Sequence, residues 1–217
     1  MKIEIRNVTK EIKGAKVLHQ INLEFTGGKI YGLRGKNGSG KTMLLRAVSG
    51  LIQVSEGEIR VNGKVLGKDM AFPESIGILI EHPSFIDSFS GYRNLKALAD
   101  VTRRIGEEEI RSWITKVGLD PYDKKKYKKY SLGMKQRLGI AAAVMEKPDI
   151  ILLDEPINAL DESGVEVIRQ VMLEMKDPER IIIIACHDKE ELELLSDEII
   201  ELSEGRVTGR YCLEKRV

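Results

Sequence analysis

The chain has 217 residues, which is enough for one large domain or two small ones. Its 35 basic and 34 acidic residues leave a net charge of +1, which gives no electrostatic argument for binding nucleic acid or an anionic membrane surface. The two cysteines, Cys186 and Cys212, are too few for a disulfide framework and favour a reducing cytosol. Apolar runs such as 181–186 are too short to span a bilayer, and residues 1–6 lack a signal-peptide core. The sequence therefore predicts a soluble, cytoplasmic chain.

The first eighty residues carry mainly β signals, which are alternating apolar positions or short apolar runs. We predict strands over residues 3–8, 17–25, 29–33 and 76–80, and a strand–turn–strand unit over 55–66. A hairpin loop over 10–16 joins the first two strands. A helix over 42–48 follows the third strand. The pattern of the first eighty residues therefore predicts β-structure with one helix.

From about residue 88 to residue 147 the signals are helical, and then strands and helices alternate. Three glutamates at 107–109 open a helix at its positive end, and the helix over 133–146 stops before Pro148. Later elements are strands over 149–153, 181–185, 197–202 and 206–211, and helices over 164–175 and 189–195. Strands apolar on both faces are typical of parallel sheets. We predict a single α/β domain spanning 1–217, with a helical insertion over about 88–147.

Residues 35–42, Gly-Lys-Asn-Gly-Ser-Gly-Lys-Thr, match the phosphate-binding loop G-x-x-x-x-G-K-[ST]. Glycines let successive backbone N–H groups point at phosphate oxygens, and the following helix adds the positive end of its dipole. Lys41 is expected to reach the β- and γ-phosphates, and the Thr42 hydroxyl to ligate Mg²⁺. A glycine-rich turn before an ordinary helix is the alternative. The apolar strand before the loop and the helix after it favour nucleotide binding.

A second nucleotide signal is the run Ile-Ile-Leu-Leu-Asp-Glu at 150–155. Asp154 lies at the carboxyl end of a buried strand, where open parallel sheets bind ligands. We expect Asp154 to hold Mg²⁺, directly or through water, and Glu155 to polarise a water aimed at the γ-phosphate. The late position of Asp154 and the lack of an Asn-Lys-x-Asp motif argue against a compact GTPase.

Together these motifs resemble the ATP-binding domain of an ABC transporter, over nearly the whole chain. Tyr-Ser-Leu-Gly-Met-Lys-Gln-Arg at 130–137 stands where that family has its signature, Leu-Ser-Gly-Gly-Gln. Asn-Ala-Leu-Asp at 158–161 resembles the family's dimer-contact loop, and His187 matches its switch histidine. The resemblance implies a P-loop NTPase fold of the ABC type, with an antiparallel β subdomain and a helical insertion.

The resemblance also implies how the site works. Two ATP-binding domains, here a homodimer, pair head to tail, and each ATP lies between one phosphate loop and the partner's signature. Hydrolysis then drives a separate transmembrane permease. The implied catalytic residues are Glu155 and His187, and the implied metal ligands are Thr42, Glu81 and Asp154. The implied nucleotide-binding residues are Ile12, Val17, Asn37, Gly38, Ser39, Gly40, Lys41, Thr42, Met43, Ser131, Gly133 and Met134.

The sequence departs from the family pattern at several of these positions. Leu132 replaces the first signature glycine, Met134 replaces the glutamine, and Glu81 stands where the family has its loop glutamine. Ile12 occupies the position of the aromatic residue that stacks on adenine, so apolar contact remains without π stacking. The combination of this signature with Glu81 resembles the bacitracin-resistance and lantibiotic-immunity branch of bacterial exporters. An exporter ATPase is therefore the expected function, and a soluble ABC ATPase of an assembly or repair complex is the alternative. A translation- or DNA-associated ABC protein also competes, but such proteins usually carry two cassettes or a long coiled-coil insertion, and 217 residues hold neither.

Other features have a structural and a functional interpretation. Cys186 and His187 are strand neighbours expected to point to opposite faces, which argues against a catalytic dyad. The lysine-rich run 124–129 is expected to be a solvated loop and no nucleic-acid site, and Trp113 is expected in the core. The loop 82–89 contains Phe85, Ile86 and Phe89, which are expected to be exposed. They either pack beneath the helical insertion or form the floor of a groove that receives a short helix of the membrane subunit, and we favour the second interpretation.

Overall fold

The computed structural model of the chain describes residues 1–213. The strands are β1 (Lys2–Ile12), β2 (Ala15–Thr26), β3 (Lys29–Arg34), β4 (Glu56–Val61), β5 (Lys64–Val65), β6 (Ile76–Leu79), β7 (Ile150–Asp154), β8 (Ile181–Cys186), β9 (Glu198–Ser203) and β10 (Arg206–Cys212). The helices are α1 (Lys41–Val48), α2 (Gly91–Thr102), α3 (Glu107–Lys116), α4 (Leu132–Val144), α5 (Glu162–Met175) and α6 (Lys189–Leu195), with a 3-10 turn at Tyr127–Lys129. No helix within this described part is both long and apolar enough to cross a membrane.

The strands form two sheets. One is antiparallel, in the order β2-β1-β4-β5, and the other has the order β10-β9-β3-β8-β7-β6. In the second sheet β3, β8, β7 and β6 run parallel, β9 is parallel to β3, and β10 returns antiparallel at the edge. The parallel strands direct their carboxyl ends to one side, so the segments after β3, β6, β7 and β8 share one edge of the sheet.

The two faces of the parallel sheet are buried against different partners. In β8, Ile182 and Ile184 pack into a core shared with α2 to α6, whereas Ile181, Ile183 and Ala185 pack into a core shared with the antiparallel sheet and α1. Successive side chains of a strand point to opposite faces, so a strand covered on both sides must be apolar at every position. This explains the continuous isoleucine run.

The helical insertion packs on the first of these cores. Leu95 of α2, Trp113 and Ile114 of α3, and Leu138 of α4 are all buried there, as expected for Trp113. Gly118 has φ 74° just after α3, the left-handed conformation that ends a helix. The expected helices of the insertion are thus present. Its treatment as a subdomain over 88–147 stays a prediction.

Several expected boundaries were wrong. The loop between the first two strands is only Lys13-Gly14, because β1 continues to Ile12 and β2 begins at Ala15. Cross-strand hydrogen bonds extended the hairpin through charged residues that carry no alternating apolar signal. Helix α1 begins at Lys41 and α4 begins at Leu132, one residue earlier than expected in each case.

The expectation that the loop after β6 exposes three large apolar residues was also wrong. Only Ile86 is exposed, at 49%. Phe85 is half-buried and meets the Tyr127 ring edge-on, with centroids 5.3 Å apart. Phe89 is half-buried beneath the Arg93 guanidinium, which lies 4.2 Å from its ring centroid. The lysine-rich run is exposed around the buried Tyr127, as expected for a solvated loop.

Candidate functional site

The glycine-rich loop connects the carboxyl end of β3 to the first turn of α1. Gly40 takes φ 106° there, and a Cβ at this position would lie only 3.1 Å from the Val17 carbonyl oxygen. Ser39 N–H donates to the Lys36 carbonyl at 3.1 Å, and Gly205 N–H donates to the Ser39 carbonyl at 2.9 Å. The loop is therefore curled and held by β2 and by the β9–β10 turn, rather than being a free connection.

A cavity of about 770 Å³ opens against this loop. Its walls are the loop itself and the far ends of β8, β9 and β10. The lining residues include Gly35, Asn37, Gly38, Ser39, His187, Glu201 and Thr208. The Ser39 hydroxyl oxygen is buried and has no hydrogen-bond partner within the described chain. An unpartnered buried hydroxyl beside a helix N-terminus suits an anionic ligand.

Lys41 is buried within the loop. Its ammonium donates to the Gly35 carbonyl at 2.7 Å and lies 3.8 Å from a Glu155 carboxylate oxygen. A lysine with 6% side-chain exposure needs such partners, because burying an unpaired charge is costly. The charge is held at the centre of the loop, where phosphate oxygens would meet it.

Asp154 ends β7 and faces the start of α1. The Thr42 hydroxyl donates to its Oδ2 at 2.6 Å, while its Oδ1 is buried without a partner. Burial raises the pKa of this carboxyl, and the Thr42 hydrogen bond only partly opposes that shift. A buried, half-satisfied carboxylate beside a threonine hydroxyl is an oxygen donor set that fits Mg²⁺.

Glu155 follows with a left-handed backbone at φ 48°, which turns its side chain back toward the loop. Its N–H donates to the Ala185 carbonyl at 2.8 Å, and its carbonyl accepts from the Gln136 amide at 3.1 Å. The carboxylate Oε2 lies 2.9 Å from His187 Nδ1. The buried Gln136 was missed by sequence reasoning, because its only signal is a place inside the signature run.

Cys186 contradicts the expectation that it and His187 point to opposite faces. The alternation holds only along a strand, and β8 ends at Cys186, so the chain turns and the two side chains converge on Glu155. Burial raises the pKa of the Cys186 thiol to about 12. A protonated thiol is a poor nucleophile, so the conclusion against a catalytic dyad stands for a different reason.

Glu81 lies after β6 at the same edge of the sheet. Its carboxylate accepts from the Arg46 guanidinium at 2.7 Å, and its side chain is 63% exposed. Its charge contributes to the raised pKa of Asp154, so the two carboxylates are neighbours. The ion pair with Arg46 was not foreseen. A role for Glu81 as metal ligand stays a prediction.

The predicted base-contacting residues lie on three different elements, β1, β2 and α1. Ile12 is 39% exposed at the tip of the β1–β2 hairpin, opposite Ala15 in the register. Val17 is half-buried, and its carbonyl oxygen borders Gly40. Met43 packs partly on the core between the sheets. Ile12 therefore offers an apolar surface with no hydrogen-bonding group in its side chain.

The signature residues lie apart from the phosphate loop. Ser131 is exposed and caps α4, its hydroxyl accepting from the Met134 N–H at 3.2 Å. Leu132 is 54% exposed, and Met134 packs partly on the helical core. A Cβ on Gly133 would lie 2.9 Å from the Ala159 carbonyl oxygen, so a glycine is required for this approach. Neither Ser131, Gly133 nor Met134 lines the cavity at the phosphate loop.

The structure thus brings together the phosphate loop, Asp154, Glu155 and His187. The signature lines no part of the cavity at the phosphate loop, but its Leu132 and Gln136 line a second pocket together with Asp154 and Glu155. A profile of the family described as ABC transporter matches residues 18–158, well over half of the chain. The chain belongs to the ABC transporter ATP-binding family. This confirms the resemblance inferred from the motifs and the predicted ABC-type fold.

Relatives and solved structures agree with this membership. An uncharacterised ABC transporter ATP-binding protein, YybJ of Bacillus subtilis, is 47% identical, and the match covers 94% of each chain. The bacitracin transport ATP-binding protein BcrA of Enterococcus faecalis is 37% identical over 94% of this chain and 67% of its own length. The lantibiotic transport ATP-binding protein SrtF of Streptococcus pyogenes is 34% identical, over 94% and 88%.

The fold is shared with solved ABC cassettes. The dimeric bacterial ABC transporter cassette MJ0796 superposes with a TM-score of 0.88 at 25% identity, covering 99% of this chain and all of the other. The CbiO1 subunit of a Clostridium perfringens ABC transporter complex gives 0.79 at 29% identity, over 96% and 87%. This protein is accordingly an ATP-binding subunit of the ABC type.

Proposed function

We propose that this ABC subunit hydrolyses Mg-ATP at the interface of a head-to-tail homodimer and thereby drives export through a separate permease. The single observation that supports it most is the cluster at the end of β7. Within one small region the Thr42–Asp154 pair, the buried Lys41 and the Glu155–His187 pair all face the phosphate loop. Each group has a different chemical task, and together they cover the needs of phosphoryl transfer to water.

The residues divide these tasks as follows. Loop amides and Lys41 hold the β- and γ-phosphates, and Thr42, Asp154 and Glu81 hold Mg²⁺, which would neutralise charge on the transferred phosphoryl group. Glu155 accepts a proton from a water whose oxygen bonds to the γ-phosphorus, while the bond to the β–γ bridging oxygen breaks. His187 orients the Glu155 carboxylate through its Nδ1 contact.

A second chain supplies the other half of the site. Ser131 and the N-terminus of α4 form an exposed anion-binding surface that lines no part of the cavity at the phosphate loop of its own chain. The contact of Gly133 with Ala159 ties this surface to the loop after Glu155. ATP bound between two chains would join them, and hydrolysis would release them.

A groove beside the insertion is suited to the permease. This cavity of about 520 Å³ lies between the end of α1, β6 and α2. Its walls include Leu51, Ile78, Phe85 and Leu98, of which Leu51 is 49% and Leu98 43% exposed. An apolar groove of this kind accepts the apolar face of a short helix. Its floor follows directly on Glu81, so nucleotide-linked movement of Glu81 would be transmitted to a docked helix.

Export is inferred from the relatives, because BcrA and SrtF are named as bacitracin and lantibiotic transport ATP-binding proteins. The competing function is a soluble ABC ATPase of an assembly or repair complex. The substitution Leu98→Glu, with Leu173→Glu on α5 (40% exposed) as control, distinguishes the two. A transporter subunit loses co-purification with a membrane chain in Leu98→Glu only and keeps its ATPase. Equal behaviour of both variants, or no membrane chain at all, contradicts docking at this groove.

The catalytic assignment is tested by Glu155→Gln. Glutamine keeps the shape and cannot accept the proton, so turnover should fall by about 10²- to 10⁴-fold while ATP binding persists. The substituted chain should accumulate as an ATP-bound dimer in size-exclusion chromatography. Full turnover in Glu155→Gln would refute the assignment of Glu155 as the general base. A persistent monomer in saturating Mg-ATP would refute the proposal that two chains share the ATP site.

A further inference from the structure

Three side chains of different ligand chemistry converge where β7 and β8 end. Glu155, Cys186 and His187 bring a carboxylate oxygen, a thiol sulfur and an imidazole nitrogen all within 4.8 Å of one another. In residues 1–213 this is the one place where three such groups come so close. The Cys186 thiol accepts a hydrogen bond from the Asp188 N–H at 3.4 Å and is also hydrogen-bonded to the Glu155 side chain.

We propose that these three residues bind a thiophilic divalent cation such as Zn²⁺ and that the bound cation inhibits the enzyme. Thiolate and imidazole select Zn²⁺ over Mg²⁺, which takes oxygen ligands in an octahedral shell. The cluster is therefore chemically distinct from the Thr42–Asp154 pair beside it. Three protein ligands with a fourth position open to solvent is a common zinc arrangement, and the exposed His187 leaves such a side open.

The geometry needs only small adjustments. Tetrahedral zinc with bonds of about 2.0–2.3 Å places its ligand atoms about 3.3–3.6 Å apart. The Glu155 Oε2 and His187 Nδ1 atoms are 2.9 Å apart and would have to separate slightly. The Cys186 sulfur lies within 4.8 Å of the other two ligand atoms and would have to move closer to them. On binding, the thiol loses its proton to solvent. Burial opposes this loss by raising the pKa of Cys186, and the bond between zinc and the thiolate has to offset it. The cation also replaces the hydrogen bond between Glu155 and His187.

The inhibition rests on the proposed role of Glu155, whereas the binding does not. A carboxylate that donates its lone pair to Zn²⁺ cannot accept a proton from water, and His187 no longer orients it. Cys186 contributes the soft ligand and has no assigned part in hydrolysis. A cation bound at this position would make the rate of ATP hydrolysis depend on the zinc concentration.

Binding is tested first without nucleotide, by titrating Co²⁺ into the reduced protein as a spectroscopic substitute for Zn²⁺. The chain has only two cysteines, so a thiolate-to-cobalt charge-transfer band in Cys212→Ser must come from Cys186. We expect the band in wild type and in Cys212→Ser, its displacement by Zn²⁺, and its loss in Cys186→Ser or Cys186→Ala. No band in Cys212→Ser, or an unchanged band in the Cys186 variants, overturns the proposal.

Inhibition is tested second, with Mg-ATP in excess and each variant compared with its own uninhibited rate. Cys186→Ser should need at least about tenfold more Zn²⁺ for half-inhibition than wild type or Cys212→Ser, a difference of about 1.4 kcal/mol. Identical zinc sensitivity would mean that Zn²⁺ acts on the nucleotide or elsewhere, and refutes inhibition through this site. A cobalt band without any ATPase activity to inhibit would instead refute the proposed function and leave the cation site standing.

Discussion

The phosphate loop before α1 and the N-terminus of α4 both present anion-binding groups at the start of a helix, but they differ in solvent exposure. At α1, Lys41 is 6% exposed and contacts Gly35 and Glu155, and Ser39 is buried. At α4, Ser131 and Leu132 are exposed, and the serine hydroxyl is occupied only by capping its own helix. The first is a buried, preformed loop, whereas the second is an exposed surface.

In the proposed shared site, this difference means that one chain alone builds only the α1 half. Electrostatic contacts to phosphate are strongest where water is excluded, as around Lys41. The α4 surface would gain that strength only when a second chain covers it. We therefore expect changes at α1 to weaken nucleotide binding in the monomer, and changes at α4 to act only on association.

The largest effect on binding is expected for Lys41→Ala. It removes a charge-assisted contact worth roughly 1.5–3 kcal/mol, which is about 10- to 150-fold in ATP affinity. Calorimetry with Mg-ATP on the monomer measures it. Lys124→Ala, at an exposed position of the solvated lysine-rich run, is the control and should bind as wild type. Wild-type affinity in Lys41→Ala would remove the basis for placing phosphates at this loop.

A smaller effect is expected for Ser131→Ala, which should weaken the ATP-dependent association of two chains about tenfold and leave ATP binding to the monomer unchanged. Ser90 provides the control, because it caps α2 of the same insertion and accepts from the Arg93 N–H at 3.3 Å, much as Ser131 does from Met134. Both variants should lose about 0.5–2 kcal/mol of stability through the lost cap. Only Ser131→Ala should weaken ATP-dependent dimerisation in the Glu155→Gln background. Equal weakening in both variants would reduce Ser131 to a capping residue.

The residues of the phosphate loop and of the β7 end could be predicted from the sequence, because these motifs consist of adjacent residues whose local geometry follows from the motif. The loop 35–42 and the Asp154–Glu155 pair have their signal in adjacent residues, and the structure places both at one sheet edge, as predicted. The contacts that the sequence did not predict depend on how the chain turns after a strand ends and on how distant elements pack together. The turn after β8 brings Cys186 onto Glu155, and Gln136 reaches Glu155 from a helix 19 residues earlier.

The smallest effect is expected on stability, from Asp154→Asn without nucleotide. Burial raises the pKa of Asp154, so the folded chain carries an unfavourable buried charge at neutral pH. The free energy of unfolding therefore falls as pH rises from the ordinary aspartate range through the raised pKa. Asp154→Asn removes that charge and keeps an acceptor for Thr42.

Urea unfolding at neutral pH should show Asp154→Asn stabilised by roughly 0.5–2 kcal/mol, a gain that shrinks on acidification. Mg²⁺-dependent ATP binding should be weakened in the same variant. Asp149→Asn, at an exposed position before the other end of β7, is the control and should change neither. A destabilised Asp154→Asn would show that the carboxylate is adequately satisfied without metal.

The central claim is that the two halves of the site meet between chains, and cross-linking tests it most directly. One chain carries Asn37→Cys and the other Leu132→Cys, both exposed positions, in a Glu155→Gln, Cys212→Ser background whose remaining Cys186 is buried. With a short bismaleimide, we predict a cross-linked heterodimer that forms in Mg-ATP and not without nucleotide. A mixture that never cross-links in Mg-ATP, while a single chain carrying both cysteines closes on itself, would contradict the shared site.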